Sequence, residues 1–359
     1  MDCHESNDNA PDNRLRVLEL YSGIGGMHYA CPPDTTRVVA AVDVNTTANV
    51  VYKFNFPETV LLQRNVQSFK QRELDSLRID VLTMSPPCQP FTRQGLQRDA
   101  QDPRSSSFLN LIQVLPTLAH PPRYILLENV KGFETSSTCA AYLDFLTQHG
   151  FHFHRYLLSP TQFGVPNSRL RFYCLAKRGR FSDCPSACDS IWHNLPTECS
   201  RPAPLYNFLE EESDSTSEYL LPDIVLSKFA FILDIVDRNA TNTCCFTKGY
   251  GHYVEGTGSV LLQSSRDAMD DVYRDVSPRV SSDDVLPASV VERLCELRLR
   301  YFTPQEVSRL MCFPEQFRFP QEVTPRQRYR LLGNSVNVRL VRELMQHLLN
   351  DADLQNKDA

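Results

Sequence analysis

Short apolar runs recur through the first half of the chain, each bounded by turn formers and separated by stretches with helical spacing. That cadence predicts buried strands of a mostly parallel sheet joined by helices, an α/β fold with helices on both faces. The first two runs are Arg16–Tyr21 and Arg37–Val42, followed by a helix over Thr46–Phe54 and a strand over Asp80–Met84. A helix at about Ser107–Leu118 then leads to a strand at Tyr124–Leu127. Another helix, about Cys139–His149, precedes strands at Phe153–Leu158 and Phe172–Ala176. From about Arg178 to Val285 both periodicities weaken, which reads as an inserted, loop-rich second domain. Regular spacing returns with helices at about Ala288–Leu299, Pro304–Met311 and Val338–Leu349, and Thr303 with Glu306 forms a capping box for the second of these.

The breaks in the pattern carry the candidate chemistry. After the first strand comes Ser22-Gly23-Ile24-Gly25-Gly26-Met27, a tight strand-to-helix turn whose glycines let a ligand approach the backbone. It satisfies neither G-x-G-x-x-G nor the P-loop pattern. Asp43 follows the second strand, about 20 positions on, where such folds hold ribose hydroxyls; it is also placed to be an N-cap. The third strand-to-helix junction, at Asn65-Val66, is where an adenine would then lie. Ser85-Pro86-Pro87-Cys88-Gln89-Pro90 is a stiff loop just past a strand end, so Cys88 is a nucleophile or an inert thiol. Glu128 closes the next apolar run and faces the same crevice or serves as a structural carboxylate. Arg169 and Arg171 share one face at period two, a pair suited to a carboxylate, phosphate or base edge, or to surface ion pairing. The polar loop from Thr92 to Ser106 reads as a lid, a substrate contact or a mobile segment. Thr243–Tyr253 interleaves aromatics, glycines and a lysine, which suits unpaired nucleotides or a plain glycine-rich hairpin.

Composition narrows the class. A chain of 359 residues with 42% hydrophobic and 22% charged residues buries a large core. No apolar run approaches the roughly 18 residues of a membrane span, and residues 1–13 carry no Lys or Arg, which excludes a leader of the usual kinds. The expected location is cytoplasmic, with the nucleus as the second compartment. Twelve cysteines in a chain this long read as reduced thiols. Cys184, Cys188, His193 and Cys199 match no common zinc spacing, so no metal is expected. The net charge of −6 is unevenly spread: residues 1–13, 205–220 and 351–359 hold −4, −5 and −2. If those three segments are flexible, the remaining body is +5 and can bind phosphates through a local patch.

Taken in order, Tyr-Ser-Gly-Ile-Gly-Gly, Asp43, Pro-Pro-Cys-Gln, Glu-Asn-Val, Arg169-x-Arg171, then Gln327-Arg328 and Gly-Asn-Ser resemble the cytosine-C5 methyltransferase family over about residues 16–349. Cys245-Phe246-Thr247-Lys248-Gly249-Tyr250-Gly251 is most similar to the small animal branch of that family that methylates tRNA-Asp. The resemblance implies a Rossmann-like S-adenosylmethionine-dependent methyltransferase sheet with a smaller target-recognition domain. Its expected division is an acidic tail at 1–13, catalytic domain at 14–177, target-recognition domain at 178–300, catalytic domain again at 301–350, and a tail at 351–359. It further implies methylation of cytosine 38 in the anticodon loop of tRNA-Asp by a monomer, with DNA a weaker partner.

In that scheme Cys88 adds to C6 of the cytosine, Glu128 protonates N3, Arg171 holds the base carbonyl, and Arg169 supports Glu128 and the Cys88 loop. S-adenosylmethionine, which becomes S-adenosylhomocysteine, would lie against Tyr21, Ser22, Gly23, Ile24, Gly25, Gly26 and Met27. Asp43 and Val44, Asn65 and Val66, Pro86, Asn334 and Ser335 would complete its site. Lys131, Cys245, Lys248 and Tyr250 would meet the tRNA. Asn65 departs from the family, which commonly carries an acid there. The rivals are a DNA cytosine-C5 methyltransferase and a catalytically silent RNA-binding protein. A thiol redox protein is disfavoured because Cys88 has no C-x-x-C partner.

Overall fold

The computed structural model describes residues 12–87, 103–181, 190–196, 200–211, 213–277 and 285–350. Eight strands form one sheet: β1 (Leu15–Leu20), β2 (Thr36–Val42), β3 (Val60–Leu62), β4 (Val81–Met84), β5 (Tyr124–Val130), β6 (His152–Leu158), β7 (Arg171–Lys177) and β8 (Ile191–Trp192). Their order is β3-β2-β1-β4-β5-β7-β6-β8, and β7 alone runs antiparallel to its neighbours β5 and β6. The central strands are apolar on both faces, and every residue of β4 is buried, as a sheet covered on both sides requires. The chain winds outward through β1, β2 and β3, then returns to lay β4 on the other side of β1. That reversal opens a crevice beyond the carboxyl ends of β1 and β4, the usual ligand position in such sheets. Leu20 pairs with Met84, so the glycine turn and the Pro86-Pro87 loop leave the sheet side by side.

Helices α1 (Gly26–Ala30), α2 (Thr46–Asn55), α3 (Gln71–Leu77), α4 (Pro103–Val114) and α5 (Ser137–Gln148) connect these strands. Leu74, Phe108, Leu111, Tyr142 and Phe145 of α3, α4 and α5 cover one face. Farther along lie α6 (Asp214–Ser217), α7 (Asp223–Phe229), α8 (Arg266–Val276) and α9 (Ala288–Cys295), and a three-stranded sheet of β9 (Ile235–Val236), β10 (Val260–Leu261) and β11 (Arg300–Tyr301). A separate core unites α7, α8 and α9 through Leu226, Val272, Val276, Val290, Val291 and Leu294. The chain ends with α10 (Pro304–Leu310), α11 (Pro325–Gly333) and α12 (Val338–Leu349). Leu340, Val341, Leu344 and Leu348 of α12 close the second face of the large sheet, against Met27 and Ala30 of α1. Among the described residues no helix is long and apolar enough to cross a membrane.

Several expectations shift. Glu128 lies inside β5, which continues to Val130. Asp43 does not cap α2; Asn45 does, accepting from the Ala48 amide at 3.1 Å. The region around 178–285 is less loop-rich than its sequence suggests, since it contains α7 and α8. Within it, residues 205–211 and 213–220 are fixed in place rather than flexible. The Glu210 amide donates to Glu306 at 3.0 Å and its carboxylate accepts from the Thr303 hydroxyl. Glu306 is fully buried and forks onto the equally buried Arg300 at 2.7 and 2.8 Å. The expected capping box of Thr303 and Glu306 is present.

Candidate active site

The glycine turn folds tightly because three of its residues take left-handed backbone angles: Tyr21 (φ 56°), Gly23 (φ 54°) and Gly25 (φ 82°). The Gly23 amide donates to Asp43 Oδ2 at 2.8 Å, and Oδ1 accepts from Asn45 at 2.7 Å. Asp43 therefore ties the turn to the end of β2, and burial raises its pKa despite those bonds. Gly26 lets the closing segment approach, because a Cβ there would lie 2.9 Å from Ser335 Oγ and 2.8 Å from Val336 Cγ2. Ile24 and Met27 are buried behind the turn, while Asn334 is exposed at the end of α11.

These residues fit S-adenosylmethionine. Ser22 Oγ is buried without a partner among the described residues, an oxygen available to a bound group. Val44 leaves an apolar side chain 62% exposed at the mouth, and Val66 is buried nearby in sequence from Asn65, whose oxygen accepts the Gln67 amide. Tyr21 is held by Ser107, hydroxyl to hydroxyl at 2.9 Å.

Beneath the turn lies a network that sequence reasoning missed. Glu19 points from β1 into the core and accepts from Tyr52 at 2.9 Å and from the His28 amide at 3.3 Å. His28 Nδ1 meets the same tyrosine hydroxyl at 2.7 Å, and its ring stacks on Phe56 at 3.7 Å. Burial pushes the Glu19 carboxyl up to about 8 and the His28 imidazole down to about 4. A polar residue in an apolar strand was the only signal available.

Cys88 lies outside the described residues, as do Cys184, Cys188 and Cys199 of the expected non-metal cluster. Among the described residues no three His, Cys, Asp or Glu side chains form a metal-holding group. The start of the Cys88 loop is placed: Pro86 is buried, and its carbonyl accepts from Asn129 Nδ2 at 3.3 Å. Asn129 thus pins that loop beside its neighbour Glu128.

Glu128 is 8% exposed, with Oε1 3.6 Å from Arg171 Nε. Burial raises its pKa, and the nearby Arg171 and Arg169 offset only part of that rise. Arg171 Nη2 also lies 3.8 Å from Cys245 Sγ. Arg169 acts on Glu128 through its charge and makes its hydrogen bonds elsewhere. Its guanidinium donates to the carbonyls of Phe246 (3.2 Å), Gly333 (3.0 Å) and Ser335 (2.5 Å), and to Cys245 Sγ at 3.4 Å. It joins three chain segments instead of bonding Glu128. Burial raises the Cys245 thiol, but Arg169 and Arg171 outweigh it and the net shift is downward. Asn167, fully buried, fastens the same loop by donating to Thr243 Oγ1 and the Cys244 carbonyl, both at 3.0 Å.

Of the expected nucleic-acid contacts, Lys131 and Lys248 are exposed and Cys245 faces the arginine pair. Tyr250 is a correction. Its ring is 2% exposed, and its hydroxyl donates to Ser259 O at 2.7 Å and accepts from the Phe302 amide at 2.8 Å. It is a core anchor of the loop, out of reach of a surface ligand.

A nucleotide-type crevice, a buried protonatable carboxyl and paired guanidiniums define a group-transfer site on a methyltransferase-like sheet. The family model described as C-5 cytosine-specific DNA methylase matches residues 15–350, and the chain belongs to that family. It is 44% identical over 335 residues to the tRNA (cytosine(38)-C(5))-methyltransferase of Spodoptera frugiperda, covering 93% of this chain and 98% of that protein. It is 40% identical to the Homo sapiens protein of the same description, over 93% and 99% of the two chains. The crystal structure of a Spodoptera frugiperda DNMT2 mutant superposes with a TM-score of 0.83 at 43% identity, covering 94% of this chain and all of that one.

Proposed function

We propose that this chain methylates C5 of cytosine 38 in the anticodon loop of tRNA-Asp, with residues 178–300 serving target recognition. The observation that carries the substrate is the near full-length similarity to the Spodoptera and human proteins described as tRNA (cytosine(38)-C(5))-methyltransferases. The geometry around Glu128 supports the chemistry.

Cytosine C5 is a poor nucleophile until a thiolate adds at C6. Cys88 is the nucleophile in this reading: its sulfur bonds C6, and the displaced electron pair moves toward N3. Glu128, whose protonated form burial favours, donates its proton to N3. Arg171 stands 3.6 Å from that carboxyl and is placed to stabilise the charge left behind. S-adenosylmethionine, when bound, supplies a methyl group on an electrophilic sulfonium centre. The Ser22–Met27 turn, Asp43, Val44, Asn65-Val66, Pro86 and Asn334-Ser335 would hold it. Loss of the C5 proton to a base and re-formation of the C5–C6 double bond then release Cys88 as thiolate, and N3 returns its proton to the Glu128 carboxylate. An anticodon-loop cytosine suits a site of this kind because an unpaired base leaves its stack at little expense.

The test is transfer of tritiated methyl from S-adenosylmethionine to tRNA-Asp and, separately, to duplex DNA. Labelling of tRNA-Asp, lost in Cys88→Ala, supports the proposal. The family model is described by its DNA substrate, so labelling of duplex DNA alone would move this chain to that reading.

A further inference from the structure

The loop that supplies Cys245 continues outward to a surface the catalytic account leaves unused. Tyr253 is 65% exposed, the highest value among the large exposed apolar and aromatic side chains. Its ring lies 4.5 Å from that of His252, centroid to centroid. His252 Nε2 accepts from Arg326 Nη2 at 3.0 Å, which joins this turn to α11. Arg330 is exposed one helical turn farther along α11, and Lys248 is exposed at the start of the loop. Among the described residues none of these three cations forms an ion pair, and one exposed carboxylate, Glu255, shares the turn.

The exposed ring is held firmly from below. The Tyr253 amide donates to Gly249 O at 2.9 Å, and its own carbonyl accepts the Thr257 hydroxyl at 2.6 Å. Gly251 sits against α11, where an added Cβ would be 3.1 Å from the Tyr329 ring. The core anchor Tyr250 fixes the loop between these points. A stiff, solvent-facing aromatic flanked by unpaired cations has the chemistry of a stacking platform for an unpaired base. Every base has a π face, and the phosphates on either side of a splayed base would meet Arg326, Arg330 and Lys248. A protein interface would centre on an apolar core depleted of charge, whereas this patch sets the cations Lys248, Arg326 and Arg330 around a single ring.

We propose that Tyr253 stacks one loop nucleotide of the RNA substrate, next to the target cytosine, while Arg326, Arg330 and Lys248 hold its phosphates. This rests on the reading of the substrate as tRNA. The experiment measures methylation of tRNA-Asp by the full chain and by Tyr253→Ala, Tyr253→Phe and Tyr253→Trp, with S-adenosylmethionine affinity as the check on folding. Base–aromatic stacking of the usual strength predicts that Tyr253→Ala raises KM for tRNA by about 10-fold to 100-fold. The Phe and Trp variants should stay near wild type and cofactor affinity should not change. A second arm replaces the unpaired loop nucleotides of the tRNA one at a time with abasic sites. At one position the wild type and Tyr253→Ala should become equal.

Wild-type methylation of tRNA with a Tyr253→Ala KM within twofold of normal would overturn the platform alone. So would Tyr253→Phe being as impaired as Tyr253→Ala, or an abasic scan with no coupled position. Failure of the wild type to methylate tRNA at all would instead strike the substrate reading.

Discussion

Arg169 illustrates how one buried side chain can tie distant chain segments together at a site. Its bonds to Phe246, Gly333 and Ser335 hold the loop before Lys248 and the segment that closes over the glycine turn in one arrangement. Only a planar fork reaches several carbonyls at once, a shape lysine lacks. Arg169 and Arg171 were legible as a pair because period two sets them on one face, yet their division of labour was not. The carbonyls that hold Arg169 lie 77 to 166 positions along the chain, and Glu128 lies 43 positions before Arg171. Tyr250 and Tyr253 were equally ambiguous, three residues apart in a glycine-rich stretch with no periodicity. Edge-to-face packing of Tyr250 on Phe246, Tyr301 and Tyr329, with the Phe302 amide on its hydroxyl, decides which ring is buried.

At this scale the raised Glu128 pKa makes a kinetic prediction. In the proposed mechanism the carboxyl acts in its protonated form, so kcat should fall as the pH rises through its folded-state pKa. Glu128→Gln should lower kcat by about 10²-fold to 10⁴-fold and remove that alkaline limb. A pH–rate profile of both proteins checks it, and an unchanged limb in the variant would assign the titration elsewhere.

Among elements, the strand and helix pattern of the large sheet was readable because buried parallel strands and amphipathic helices have distinct periods. Helix α12 matches its expected span, Val338–Leu349. Helix α8 was passed over although Met269, Val272, Tyr273 and Val276 have the spacing of one helical face; its many charged residues masked the stripe. The three-residue strand β3 is too short to show any period.

The contact between α11 and the Thr243–Tyr253 loop leads to a second prediction. A Cβ on Gly333 would collide with the backbone of Thr247 and Lys248. Gly333→Ala must displace that loop and, with it, Cys245 from the arginine pair. Methyl transfer should drop at least about tenfold while the fold of the large sheet survives, read by activity beside circular dichroism.

The Glu19 network beneath α1 gives a third. Glu19 stays protonated in the folded chain to about pH 8 but ionises near 4.5 when unfolded. Its stabilising contribution is therefore full below pH 4.5 and lost as the pH rises through 8. His28 works in the opposite sense, between about 4 and 6.5, so Glu19 acts without it from pH 6.5 to 8. Over that window the wild type should lose up to about 1.4 kcal/mol per pH unit. Glu19→Gln should flatten the fall. Denaturant titrations at the two pH limits compare them.

For the whole molecule, net charge concealed the partner. The total of −6 is concentrated in part on residues 1–13 and 351–359, and the exposed cations Lys248, Arg326 and Arg330 gather beside the crevice. The acidic stretch reads as loose in the sequence because Glu306, the buried partner of Glu210, lies 96 positions along the chain. What sequence order conveyed well was placement: the glycine turn, Glu128 and the arginines lie at one end of the sheet because β1, β4, β5 and β7 are successive neighbours.

The most direct measurement of that chemistry is covalent trapping. An anticodon-loop RNA of tRNA-Asp carrying 5-fluorocytidine at the target position is incubated with the full chain and S-adenosylmethionine. Fluorine replaces the proton whose loss would free the enzyme, so the cysteine–C6 bond should persist as a denaturant-stable one-to-one complex. The account predicts that complex for the wild type and none for Cys88→Ala. A wild-type chain that methylates the unfluorinated RNA without forming it, or a complex that survives Cys88→Ala, would contradict the account.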